Sequence, residues 1–295
     1  MSDPSDKLRL ATIETPEELA HRFARETRPV ILQREADLSD SIDGFRIGSV
    51  PHLNAVPLTR GLEEQITFLP PSQLAEKLRA GELDAALLSV TEALFNETYD
   101  VLDGVGISSL GEVKSVFLAH RQPIEQLREI YCDTASLASF NLLKVLLAEK
   151  GITPVFKPLP SYQAARTVDN VFLIGDHALE FLLTPREHDY EIWDLGDAWF
   201  ELTGLPFVYA VWTLRRNLDH APLRRILRNA KSFGLETLDH IISSRTEFTH
   251  DLRKDYLGWH IHFHLGADER RGLAKFIELL RKHNFGPVHE PRFVW

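Results

Sequence analysis

FRIGSVPHLNAVPL, residues 45–58, is the stretch whose reading decides the fold. Phe45, Ile47 and Ser49 alternate with Arg46, Gly48 and Val50, which is the two-residue period of a strand. Pro51 breaks the strand, and a short helix carrying Asn54, Pro57 and Leu58 follows. A strand that ends in a polar turn opening onto a helix puts backbone N–H groups and one amide side chain at a carboxyl strand end. Open α/β sheets bind small ligands at that place. Taken alone the stretch has a plainer reading too, as the first βα unit of an α/β domain with Asn54 serving as a helix cap.

Strands and helices alternate downstream. Residues 66–70 (ITFLP) read as a strand and 71–80 as a helix with Leu74 and Leu78 on one face. LDAALLSV, residues 83–90, is a continuous apolar run, as expected for a strand buried on both faces, and 91–95 turn into a helix. Further strands are expected at 105–109, 113–120 and 130–133, then a helix over 136–150 that Gly151 ends. NVFLIGD (170–176), YEIWDLG (190–196) and the apolar 206–214 are strands with short helices at 178–183 and 198–202 between them. After Asn217 the chain is almost all helical, with segments near 221–234, 236–247, 249–258 and 267–283. Repeated βα units ask for parallel sheets covered by helices.

VKSVFLAHR and PFVYAVWTLRR are long apolar strands separated by a domain-sized set of βα units. A two-lobed protein needs two chain crossings, and these strands are the expected ones. The division is then a first lobe of 44–120 plus 210–295, a second lobe of 121–209, and a cleft between them. Residues 1–43 form an N-terminal extension. In it a helix starting at Pro16 stops at Arg28-Pro29, VILQ (30–33) makes a short strand, and the acidic 35–43 is a loop.

Composition narrows the function. A hydrophobic fraction of 44% and a charged fraction of 26% over 295 residues describe an ordinary globular chain with a large core. The net charge of −10 argues against a nucleic-acid partner but leaves room for an anionic small molecule held by local donors. Cys132, the single cysteine, sits in an apolar strand and reads as inert. No apolar run reaches membrane-span length and MSDPSDKLRL carries no signal-peptide core, so the expectation is a cytoplasmic protein without a membrane partner.

The polar strand exits, 51–54, 89–92, 108–115, 133–139 and 175–177, supply amides, hydroxyls and helix starts rather than paired carboxylates. That suits an anion held by N–H and O–H donors. DTASLAS, residues 133–139, puts Thr134, Ser136 and Ser139 at a helix start, and N-capping and a carboxylate cradle use the same groups. Ser109 and Asp176 stand at two other exits, and His52 stands at the cleft mouth as a hydrogen-bonding group or a base. WHIHFHL, 259–265, aligns His260, His262 and His264 on one face if extended, but helical surroundings make it a solvated turn rather than a metal site.

RIGSVPHLNAVPL, LAEKLRAGELDAALLSVTEAL, GVGISSLGEVKSV, DTASLAS, LIGDHAL and DLGDAWFELTGLPFVYAVW together resemble the chorismate dehydratases of the futalosine route to menaquinone. The resemblance covers about residues 45–285, in family order. It implies a two-lobed α/β fold like the type II periplasmic binding proteins, with an interlobe cleft and a helical C-terminal part. It also implies a lyase that removes water from chorismate to give 3-[(1-carboxyvinyl)oxy]benzoate, with no metal or organic cofactor. Asn54 and Ser115 match the family's catalytic Asn and Ser. His52, Ser109, Thr134, Ser136, Ser139 and Asp176 are the expected substrate contacts. Neither catalytic residue is an obvious base, which leaves the proton to the substrate's own side-chain carboxylate.

The chain departs from the family pattern in three places. His52 replaces an aromatic residue, Glu112 enters the GPV motif, and Leu137-Ala138 replace Arg-Thr at the helix start. Losing an arginine from a carboxylate site costs on the order of 1.5–3 kcal/mol, so Arg121, Lys114 and Arg166 are candidates to replace it. Two other functions stay open, a 1,4-dihydroxy-6-naphthoate synthase-like enzyme and a non-catalytic binder of a cyclic carboxylate. The oligomeric state is not encoded in any pattern of the sequence.

Overall fold

The computed structural model describes residues 28–38, 42, 44–184, 190–216 and 221–295. The helix expected after Pro16 lies outside these residues. Residues 28–38 are helical (α1), which corrects the expected strand at 30–33 and the start of the expected loop. The reason is tertiary. Ile31, Arg34, Glu35 and Leu38 repeat at helical spacing, with Ile31 packed on the core, Arg34 paired with Glu236, Glu35 2.5 Å from Arg60 and Leu38 buried.

The first sheet has the order β11-β4-β10-β3-β1-β2. Its strands are β1 (Ile47–Ser49), β2 (Ile66–Phe68), β3 (Ala85–Ser89), β4 (Tyr99–Ser109), β10 (Phe207–Arg215) and β11 (Arg292–Val294). Strands β1, β2 and β3 run parallel, as βα repeats require. β10 runs antiparallel between β3 and β4, so the sheet is mixed rather than parallel. The second sheet has the order β7-β6-β8-β5-β9. It contains β5 (Val116–His120), β6 (Glu129–Cys132), β7 (Val155–Pro158), β8 (Asn170–Ile174) and β9 (Glu191–Asp194), with β5 antiparallel to both neighbours.

This pairing moves the expected crossings. Val116–His120 lies wholly in the second sheet and Phe207–Arg215 wholly in the first. The chain leaves the first sheet after Ser109 and returns at Phe207, and these two residues are register partners. It enters the second sheet at Val116 and leaves after Asp194, which pairs with Phe117. The two connections, 110–115 and 195–206, therefore run side by side. Gly196 lies so close to the other connection that an added Cβ would fall 2.3 Å from the Gly111 carbonyl oxygen, which explains glycine there.

Helices cover both sheets. α2 (Val56–Thr59), α3 (Pro71–Arg79) and α4 (Val90–Leu94) follow the first strands. α5 (Leu137–Glu149) and α6 (Gly175–Leu183) follow β6 and β8, and α7 (Leu195–Thr203) lies in the return crossing. After β10 come α8 (Ala221–Glu236), α9 (Leu238–Ser244), α10 (His250–Asp255), a π-helical turn at Tyr256–His260 and α11 (Ala267–Lys282). Trp199, Phe207 and Phe276 are fully buried, with ring centroids 4.9–6.0 Å apart, and lock α7, β10 and α11 together. In α8, Gly234 sits against the Pro57 carbonyl, and a Cβ there would lie 1.9 Å from it, so α8 packs directly on α2.

The histidine-rich segment is extended rather than a turn. His262 exchanges both backbone hydrogen bonds with Ser108 at 2.8–2.9 Å, and Ile261, Phe263 and Leu265 alternate into the core. Among the described residues no helix is long and apolar enough to cross a membrane.

Candidate active site

A cavity of about 370 Å³ lies between the sheets, at the exits of β1, β3, β6 and β8, within the size range of small-molecule sites. Six of the eight residues expected from the sequence line it: His52, Asn54, Ser115, Ser136, Ser139 and Asp176. Ser109 and Thr134 do not. Ser109 reaches the site indirectly, with its Oγ 3.1 Å from the hydroxyl of Tyr209, which does line the cavity. Thr134 is exposed outside the lining.

Asn54 is not a cap. His52 precedes the 3-10 turn Leu53–Ala55 that leads into α2, and no side chain caps that turn. The Asn54 Nδ2 instead donates to the Tyr256 hydroxyl at 3.2 Å, and that hydroxyl donates to Ser115 Oγ at 2.8 Å. Tyr256 is fully buried, and burial holds its phenol well above the ordinary tyrosine range, so it stays protonated. The tyrosine proton is directed at Ser115 Oγ, and Ser115 lines the cavity. Three donors in series polarise one another.

The Ser115 turn is held by a buried carboxylate. Asp194 accepts from the backbone N–H groups of Val113, Lys114, Gly196 and Asp197 at 2.8–3.2 Å. Lys114 adopts φ 61, a left-handed conformation that costs free energy for a side-chain residue and that these bonds compensate. Burial pushes the Asp194 carboxyl up to about 6, against the lowering effect of its amide donors. On the other side, Lys114 Nζ pairs with Asp255, and His260 Nδ1 lies 2.9 Å from the Glu112 carbonyl oxygen. These contacts pin the segment carrying Tyr256 to the crossing that carries Ser115.

Of the two readings of DTASLAS, the N-cap is the one seen directly. Ser136 caps α5 by accepting from the Ser139 N–H, and both serines line the cavity. The Ala138 N–H donates to Ser89 Oγ at 2.7 Å, a hydrogen bond from α5 to the first sheet. Asp133 accepts from the Ala135 N–H at 2.8 Å and from the Tyr162 hydroxyl at 3.2 Å, and burial raises its carboxyl above the ordinary range. Tyr162 stacks on His177 with centroids 3.4 Å apart, and its phenol is pushed up to about 12 by burial and by Asp133.

Sequence reasoning did not single out Tyr256, Tyr209, Asp194 or Tyr162, and it reached Asp133 and His177 only as ends of the polar exits 133–139 and 175–177. No local signal marks Tyr256, which meets Asn54 across 202 residues of chain. Asp194 had a signal, because an Asp before Leu-Gly at a strand exit is a helix cap. The basic candidates for a carboxylate site are engaged elsewhere. Lys114 holds Asp255, Arg121 reaches Asp169 at 3.0 Å, and Arg166 donates to the Phe181 carbonyl at 2.5 Å; none lines the cavity.

Two mixed sheets, two adjacent crossings and a cleft between them define a two-lobed fold of the periplasmic-binding-protein type. Solved structures share it. A protein from Archaeoglobus fulgidus aligns with TM-score 0.65 at 18% identity, over 82% of this chain and 98% of its own. The periplasmic aliphatic sulphonate binding protein of Escherichia coli aligns with TM-score 0.57 at 14% identity, over 85% of this chain and 93% of its own. At the level of sequence, residues 45–282 match the menaquinone biosynthesis family. A chorismate dehydratase of Thermus thermophilus is 30% identical over 268 residues, covering 84% of this chain and 98% of that protein. A chorismate dehydratase of Campylobacter jejuni is 26% identical over 238 residues, covering 79% and 92%. The chain belongs to the menaquinone biosynthesis family.

Proposed function

We propose that the protein is a chorismate dehydratase that forms 3-[(1-carboxyvinyl)oxy]benzoate and water. The observation that carries this reading is the hydrogen-bond chain from Asn54 through Tyr256 to Ser115, which ends in the cleft. The similarity to dehydratases from Thermus thermophilus and Campylobacter jejuni supports it.

The substrate explains why such a chain is sufficient. The hydrogen on C3 of chorismate is acidic because the carbanion delocalises through the ring double bond into the ring carboxylate. Removing it turns that carboxylate into an enediolate, and loss of the neighbouring C4 hydroxyl makes the ring aromatic. The protein's work is to hold two carboxylates and to stabilise charge that develops on one of them. A fixed donor aimed at such an oxygen contributes most where water is excluded. Ser115 is that donor, and Asn54 and Tyr256 fix its direction. The N-terminus of α6, which no side chain caps, and Ser136 and Ser139 at the start of α5 face the same cavity. The proton from C3 goes to the carboxylate on the substrate's own side chain, which returns it to the departing C4 hydroxyl, so that the hydroxyl leaves as water with no net exchange of protons.

Incubation of the pure protein with chorismate, followed by mass spectrometry, tests the proposal. Catalytic loss of one water with formation of a benzoate supports it. Stoichiometric binding of unchanged chorismate would instead favour a carboxylate sensor.

A further inference from the structure

The lining of the cleft proposed to bind a dianion carries, among the described residues, no fixed positive charge. Among the described residues, its lining has no lysine or arginine but does have three carboxylates, Asp133, Asp176 and Glu180. Among the described lining residues, the side chains able to carry positive charge are His52 and His177. His52 Nδ1 lies 3.6 Å from Asp176 Oδ2, from the opposite wall of the cleft. His177 Nδ1 lies 3.2 Å from Glu180 Oε2, and its ring stacks on Tyr162, whose hydroxyl bonds Asp133.

We propose that substrate binding is linked to proton uptake, with the His52 and His177 imidazoles becoming the cations that balance the substrate's carboxylates. This rests on the reading of the ligand as a dicarboxylate. The titratable groups around the pair are Asp176, His177 and Glu180 on α6, Asp133 at the exit of β6, Tyr162 at the start of the 3-10 turn Tyr162–Arg166 before β8, Tyr209 on β10 and Tyr256 on the π-helical turn. All of them except the second imidazole are acids, so none supplies positive charge in place of the histidines. A dianion entering among three carboxylates is repelled, and the same dianion beside two imidazolium rings is attracted. A ligand that prefers the protonated form draws protons onto the protein as it binds, by linkage. Asp133 adds to the effect, because its buried carboxyl already holds its proton more tightly than usual and a bound anion strengthens that further.

The test is calorimetric titration of the full chain with 3-[(1-carboxyvinyl)oxy]benzoate, in two buffers of different ionisation heat, together with KM for chorismate as a function of pH. The expected result is uptake approaching two protons per ligand, one on each imidazole, at mildly alkaline pH. Kd and KM each rise by about ten- to a hundredfold per pH unit there. His52→Gln and His177→Gln each reduce the uptake, and the double variant removes most of it. Both residues are partly exposed, so the variants fold. Binding or turnover with an affinity that does not change with pH and no buffer-dependent heat would overturn the inference alone. A protein that binds neither compound and forms no product would overturn the reading of the substrate, and the inference with it.

Discussion

Tyr256→Phe removes a single hydroxyl and so isolates the hydrogen-bond chain from everything else in the cleft. The ring stays in its buried place, because phenylalanine fills the same volume. Two bonds are lost, 3.2 Å from Asn54 Nδ2 and 2.8 Å to Ser115 Oγ. Ser115 is 2% exposed, so the lost bond is not replaced by bulk water. One such bond has a net worth of about 1–1.5 kcal/mol, so the variant should be less stable by roughly 1–3 kcal/mol, which lowers Tm by several degrees. If the same bond aims the serine proton at the developing enediolate, its loss appears in the transition state at about the same size. That lowers kcat roughly tenfold and leaves KM within about threefold. Ser115→Ala removes the donor itself and should cost about 10²–10³ in kcat. The assay is steady-state conversion of chorismate by chromatography, with thermal melts to separate folding from chemistry. A Tyr256→Phe protein with wild-type kcat would refute the role assigned to the chain. So would one whose loss of activity only follows its loss of folded protein.

Three further outcomes follow from the same geometry. Asn54→Ala should lower kcat more than it lowers thermal stability, because Asn54 is partly exposed and bonds only the tyrosine among the contacts described; a loss of stability without loss of turnover would contradict this. Gly196→Ala drives a methyl group to 2.3 Å from the Gly111 carbonyl, so the paired crossings must separate at a cost of about 1–3 kcal/mol. Melting curves and kcat should fall together, and an unchanged protein would show that the crossings are not held in contact. Asp194 makes stability depend on pH in a definite direction. Its carboxyl is raised from the model-compound range to about 6, so its neutral form is the one the fold prefers. Its stabilising contribution is full below the unfolded value and is lost as pH rises through about 6. Between about pH 4 and pH 7 the stability of wild type relative to Asp194→Asn should therefore fall by about 2 kcal/mol, as urea unfolding would measure. A difference that grows in favour of wild type would mean that the four backbone N–H donors outweigh burial.

What could be read from the sequence was what is written locally. The β1 exit, the α5 helix with its serines, and the apolar β3 and β8 strands carry periodicity or capping residues within a few positions. Six of the residues that line the cavity were reachable because they stand at such exits. Strand direction was not legible. β10 is apolar throughout because both of its faces are covered, and that pattern is the same whether its neighbours run parallel or antiparallel. For the same reason β5 and β10 looked like crossings, whereas the actual crossings are a short irregular turn and α7. β7 and β11 went unseen because both are short edge strands with exposed residues and little apolar pattern. Tyr256 lies in a π-helical turn, and only the folded chain brings it between Asn54 and Ser115. The helix at 28–38 shows the opposite error. VILQ read alone suggests a strand, but the contacts that set its period are made by Arg34, Glu35 and Leu38, further along the same face.

The central claim is that the cleft dehydrates chorismate with Ser115 as its charge-stabilising donor. Proton NMR of chorismate with a catalytic amount of protein tests it most directly, with wild type and Ser115→Ala compared at equal folded concentration. The account predicts that wild type replaces the ring diene signals with those of a 1,3-disubstituted benzene that keeps its enolpyruvyl methylene, over many turnovers, while Ser115→Ala is slower by about 10²–10³. Chorismate left intact by the folded wild-type protein, or equal rates from the two proteins, would contradict it.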